Sequence, residues 1–118
     1  MIDFVKMINQ TSEQKIETDG LKTRLIEKLR KIYDPEIPVN IYDLGLIYEL
    51  DIKPNGDVHV RMTLTSANCP VAQGFPEHVQ EALLFVEGVN DVTVELVWEP
   101  PWSRDRMSEA ARLQLGML

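Results

Sequence analysis

Two alternating runs joined by Pro54-Asn55-Gly56-Asp57 constrain this chain more than any other feature. Leu46, Tyr48, Leu50 and Ile52 alternate with Ile47, Glu49, Asp51 and Lys53, the period of a half-buried strand. Asn-Gly tolerates the positive φ values of a tight turn, so the run reverses into a hairpin. The return strand sets Val58, Val60, Met62 and Leu64 on one face and His59, Arg61, Thr63 and Thr65 on the other.

The flanking sequence supplies cover for the apolar face. Leu21, Leu25, Leu29 and Ile32 recur at helical spacing among Lys22, Arg24, Glu27, Lys28, Arg30 and Lys31, which reads as an amphipathic helix. It stops at Asp34-Pro35, because the residue before proline is pushed out of the helical region. Its start is open to two readings. Thr11 with Gln14 fits a capping box and a start near Ser12. Thr18 or Asp19 gives a later one, because Gly20 weakens a helix passing through it.

Beyond the hairpin, Pro70 opens a second helix, and Phe75, Val79, Leu83 and Val86 continue on one face. Pro76 is expected to kink or split this helix, and Gly88 to end it. Val92, Val94, Leu96 and Trp98 alternate with Thr93, Glu95 and Val97 as a third strand. Pro100-Pro101-Trp102 ends it, and Ser108 to Leu115 make a last short helix. The order helix, strand, strand, helix, strand predicts a two-layer α+β sandwich: a three-stranded sheet with helices on one face. Residues 1–17 read as a variable extension and 18–118 as a single domain.

With 118 residues, the chain is one ordinary domain that buries a core without disulfide staples. Its formal net charge of -7 lacks the basic footprint that nucleic acid requires, and is equally unsuited to an anionic membrane surface. No apolar run approaches the ~20 residues of a membrane span, and the N-terminus lacks the basic and apolar regions of a leader. A cytoplasmic protein is the expectation.

Cys69 is the single cysteine, so no intramolecular disulfide or CxxC pair forms. Cys69, His59 and His78 are the whole Cys/His stock, too few for a closed structural zinc site. If Pro70 is the first helical residue, Cys69 stands at the N-cap, where the helix dipole favours thiolate. Thiolates bind soft metals such as cluster iron, or attack electrophiles. Thr65 and Ser66 lie close enough in sequence to donate to such a sulfur. An inert buried cysteine is the competing reading.

Asp34, Glu36 and Asp43 flank a proline-stiffened loop, where paired carboxylates suit acid–base work or hard cations. Turn-forming and capping duty is the competing reading for all three. No base is identifiable near Cys69: with the helix unbroken, His78 would sit ~13 Å further along it. Trp98 and Trp102 beside Pro100 and Pro101 either cap the core or form a docking arm.

The run from Asp34 through Pro35, Glu36, Ile37 and Pro38 to Asp43-Leu44-Gly45-Leu46-Ile47-Tyr48 strongly resembles the signature of a family of small iron–sulfur assembly accessory proteins. That family includes SufT, PaaD and the eukaryotic targeting factor of the cytosolic iron–sulfur machinery. Met62 to Pro70, holding Thr65-Ser66-Ala67-Asn68-Cys69, is similar to its second motif. Trp98-Glu99-Pro100-Pro101-Trp102, with Met107 to Arg112 and Leu115-Gly116, is similar to its third. The match spans about residues 18 to 118. The chain lacks the cysteine-rich tail of PaaD-type members, which favours the SufT-like branch.

This resemblance implies an α+β domain and a role in maturing iron–sulfur proteins, as an accessory factor or adaptor rather than the main scaffold. It places the reactive cysteine at Cys69, with Asp34, Glu36, Thr65 and Ser66 around it and Asp43 in the Asp-Leu-Gly segment. Assembly proteins and client apoproteins are the implied partners. One thiolate cannot complete a cluster that normally takes four cysteines. A cluster ligated by Cys69 is therefore expected to be transient, bridging a homodimer or completed by a partner or small thiol. Three readings stay open: a cluster carrier acting through Cys69, a protein-binding adaptor in which Cys69 is incidental, and a cysteine-dependent enzyme.

Overall fold

Leu21, Leu25 and Leu29 share one face of a helix, α1, spanning residues 18–29 of a computed structural model that describes residues 18–65 and 74–116. Thr18 is already helical, and the proposed capping box at Thr11 and Gln14 lies outside the described residues. A folded loop leads to β1 (Ile47–Ile52), then β2 (Asp57–Met62), α2 (Phe75–Leu84) and β3 (Asp91–Leu96). A 3-10 turn (Arg104–Arg106) and α3 (Glu109–Gln114) complete the order.

The sheet order is β1-β2-β3, with β2 central, antiparallel to β1 and parallel to β3. Val58, Val60 and Met62 stand beside Val92, Val94 and Leu96 on one face. That face joins Leu25 and Leu29 of α1 and Val79 and Leu83 of α2 in one buried core. The opposite face carries a charge ladder. Arg61 lies between Glu49 at 3.7 Å and Glu95 at 3.4 Å, and Glu95 also meets His59 at 3.2 Å. The expected α+β layering and element order are therefore present.

The hairpin turn forms at Asn55-Gly56, with Gly56 at φ +93°. The Gly56 carbonyl also accepts from the Asn90 amide at 2.8 Å, tying the hairpin to the loop before β3. Asp57 accepts from Asn90 and Asn55. Those bonds hold its carboxyl below the usual range, Asn90 first and Asn55 second, with Lys53 adding to them against a small desolvation effect.

Local details depart from the sequence reading. The helix bearing Phe75, Val79 and Leu83 does not run on from Pro70: its N-cap is Gly74, and Pro76 stands in the first turn, where it leaves the helix unkinked. Cys69 is therefore not the N-cap of this helix, and the rise used to separate His78 from it loses its premise. The helix ends at Leu84, ahead of the turn containing Gly88. In β1, Ile47 pairs with Met62 and Glu49 with Arg61, so Tyr48 is the extra residue of a β-bulge. Strict alternation breaks there because the bulge re-aims Tyr48.

Candidate functional site

Three segments meet at one end of the sheet, where β1 begins and β2 and β3 finish. Leu46 accepts from the Thr63 amide at 2.9 Å, and Met62 accepts from Val97 at 2.8 Å. The motif loop, the start of the segment leading toward Cys69, and the chain after β3 therefore share this end. Thr65 lies here, half-buried, directly after buried Leu64. Ser66 and Cys69 lie outside the described residues.

The loop from 33 to 46 is built by its own side chains. Asp34 is 7% exposed, and its Oδ2 accepts from the amides of Glu36 at 2.8 Å and Ile37 at 2.7 Å. Pro35 and Pro38 stiffen the turn around those bonds. Asn40 and Asp43 clasp each other: Asn40 Nδ2 donates to Asp43 Oδ2, and the Asp43 amide donates to Asn40 Oδ1, both at 2.8 Å. Arg30 adds a guanidinium 3.8 Å from Asp43 Oδ1 and 5.1 Å over the Tyr42 ring. Asp34 and Asp43 thus serve as turn-forming residues, the competing reading given to them above. Glu36 is exposed, and among the described residues its carboxylate alone of the three meets no donor.

Replacing Asp34 with alanine removes a carboxylate that satisfies two amides. The expected cost is about 2–3 kcal/mol, because charge-assisted bonds are lost and buried N–H groups are orphaned. Urea denaturation measures it, and an unchanged midpoint would assign the two amides to solvent.

The chain after β3 straps this loop down. Trp102 Nε1 donates to the Leu44 carbonyl at 2.7 Å, the Ser108 amide to the Asp43 carbonyl at 2.8 Å, and Gln114 Nε2 to the Pro38 carbonyl at 3.1 Å. Ser108 also caps α3 by accepting from Ala111. Gly45 has φ +80°, and a Cβ there would lie 2.8 Å from the Arg106 carbonyl carbon and closer still to its oxygen. Trp102 is thereby a cap on the loop, whereas Trp98 stays 42% exposed. Trp102→Phe keeps an aromatic ring but strands the Leu44 carbonyl. Thermal unfolding should register a loss of about 1–2 kcal/mol, and no change would mean that water replaces the indole.

Beside the strap, a groove of about 430 Å³ opens between Tyr48, Glu49, Arg61 and Arg106. The Tyr48 hydroxyl donates to the Pro100 carbonyl at 2.7 Å, and the Arg106 guanidinium lies 4.5 Å over its ring. Sequence reasoning missed Asn40, Tyr48, Arg106 and Ser108 as builders of this end. Their only advance signal is that they fall inside or beside the motifs, and nothing in spacing pairs Tyr48 with Pro100 or Ser108 with Asp43. Among the described residues, no three His, Cys, Asp or Glu side chains are grouped to hold a metal ion.

The comparisons with known proteins agree with this architecture. A family model described as iron–sulfur cluster assembly protein matches residues 22–96. The chain is 51% identical over 94 residues to a Porphyromonas gingivalis protein named Fe-S protein maturation auxiliary factor, covering 80% of this chain and 90% of that one. It is 37% identical over 86 residues to the Staphylococcus aureus Fe-S protein maturation auxiliary factor SufT, covering 73% and 98%. A crystal structure of a domain of unknown function from Bacillus anthracis superposes with a TM-score of 0.78 at 35% identity, over 88% of this chain and 99% of that one. The motifs, the sheet and the matched span lead to one assignment: the chain belongs to the iron–sulfur cluster assembly protein family.

Proposed function

We propose that this protein is an accessory factor in iron–sulfur cluster assembly, or in transfer of clusters to client apoproteins, with Cys69 as its chemistry-bearing residue. The observation that supports this most is convergence. The Asp34–Asp43 loop, Thr65 and the strap are built onto one end of the sheet, the end from which the chain departs toward Cys69. The names of the similar Porphyromonas and Staphylococcus proteins point to the same role. Assembly proteins and clients are its partners in this reading.

The cluster is cargo. With Cys69 as the only cysteine, one chain contributes one thiolate, and the remaining ligands come from a second copy, a partner or a small thiol. We infer a carrier rather than an enzyme. Of the two histidines, His59 is engaged by Glu95 on the open sheet face, and among the described residues nothing places a base for Cys69.

A second reading, a docking adaptor without cysteine chemistry, is favoured by one observation: Asp34 and Asp43 are committed to backbone turns. Activity of an iron–sulfur enzyme such as aconitase tests the role common to both. Cells lacking this protein should retain aconitase polypeptide with reduced activity, restored on re-expression. Full activity in the deletion strain overturns the assignment for that client.

A further inference from the structure

The two edges of the sheet differ. Along β1 the Tyr48 bulge interrupts the ladder, a device that discourages further pairing. β3 pairs with β2 without a break from Asp91 to Leu96. Val97 donates toward β2, to Met62, so by the two-residue alternation Val92, Val94 and Leu96 aim their backbone groups outward. Gln80 confirms that direction, since its Nε2 reaches the outward Val92 carbonyl at 2.8 Å. From the described residues no hydrogen bond reaches the outward N–H and C=O of Val94 or Leu96.

The surroundings of this edge are apolar and acidic. Val94 and Leu96 are half-buried. Leu84, one helical turn after Gln80, is 42% exposed, and neighbouring Phe85 is 87% exposed. None of the chain's 12 Lys and Arg falls between Met62 and Ser103, whereas Glu77, Glu81, Glu87, Asp91, Glu95 and Glu99 all do.

We propose that the β3 edge is a docking strip for an extended segment of another protein that alternates apolar and basic side chains. The segment adds a fourth strand, pairing with the outward groups of Val94 and Leu96. Its apolar side chains pack beside Val94, Leu96 and Leu84, and its basic ones face Asp91 and Glu95. A second copy of this chain is a poor occupant, because β3 itself carries acidic but no basic side chains and would meet its own like on chains that each have a net charge of -7. The proposal goes beyond the function given above and does not depend on Cys69.

Amide NMR of the full chain, titrated with a capped peptide of alternating valine and lysine, tests it. The Val92, Val94 and Leu96 amides should shift and exchange more slowly, with affinity falling as salt rises from about 0.05 to about 0.3 M. The same peptide with glutamate for lysine should leave them unmoved. Val94→Pro deletes an outward N–H without touching the β2 ladder, a position where a strand tolerates proline. It should weaken binding about tenfold or more. Asp91→Lys, at an exposed position, should also weaken binding and does not strain the strand. Equal response to both peptides, response at β1 with β3 silent, or protein-concentration-dependent protection of β3 without peptide each overturns the proposal. The last of these would make a second copy the occupant.

Discussion

Gly45→Ala is expected to lower the melting temperature by about 10–15 °C, a loss of about 3 kcal/mol or more. Two effects add. At φ +80° an L-residue pays ~1–2 kcal/mol for its Cβ against its own backbone. The new methyl also meets the Arg106 carbonyl, which belongs to the main chain and has no rotamer by which to yield. Relief requires the strap to lift, and that strains the Trp102 bond to Leu44 and the Ser108 bond to Asp43. Gly116→Ala is the matched control. It has φ +72° with nothing within 4 Å of the added carbon, so only the backbone cost remains, about 1 kcal/mol. Circular dichroism melts of the two variants separate the effects. Equal losses would mean that the strap does not press on Gly45.

Cys69→Ala carries the largest functional effect. In cells lacking this protein, the variant at matched abundance should leave aconitase activity at the deletion level, while the natural chain restores it. The reason is stoichiometric. The sequence holds one thiol, and a cluster iron needs a thiolate from the carrier, so alanine leaves this chain no soft ligand. Loss of rescue with an unchanged melt would place Cys69 in the working chemistry. Equal rescue by both forms would make the thiol incidental and establish the adaptor reading.

What the sequence made legible follows from which interactions are local. The Asn55-Gly56 hairpin, the Leu21–Leu29 face and the last short helix after Ser108 are each encoded within a few residues, and each is present. Boundaries depending on proline were harder. Pro70 and Pro76 are both acceptable first-turn residues, and periodicity alone did not choose between them. Gly74 as N-cap makes Pro76 the one in the first turn of α2. The Tyr48 bulge was hidden because the partner of Tyr48 is remote in sequence: its hydroxyl donates to the Pro100 carbonyl, 52 residues further on. The carboxylates show the same limit. Type and spacing nominated Asp34, Glu36 and Asp43 together. Only the fold shows that Asp34 and Asp43 bind amides of their own loop while Glu36 faces solvent.

The strap also sets a timetable. Its contacts join Leu44 to Trp102 and Pro38 to Gln114, the longest-range side-chain bonds described at this end of the sheet. Contacts so distant along the chain close late, after the local hairpin has formed. A ribosome that has released residues up to β3 has delivered the hairpin and both main helices, yet the loop of Asp34 and Asp43 still lacks its anchors. The motif loop is thus finished only once Gln114 has emerged, and a nascent chain carries Cys69 before it carries the completed site.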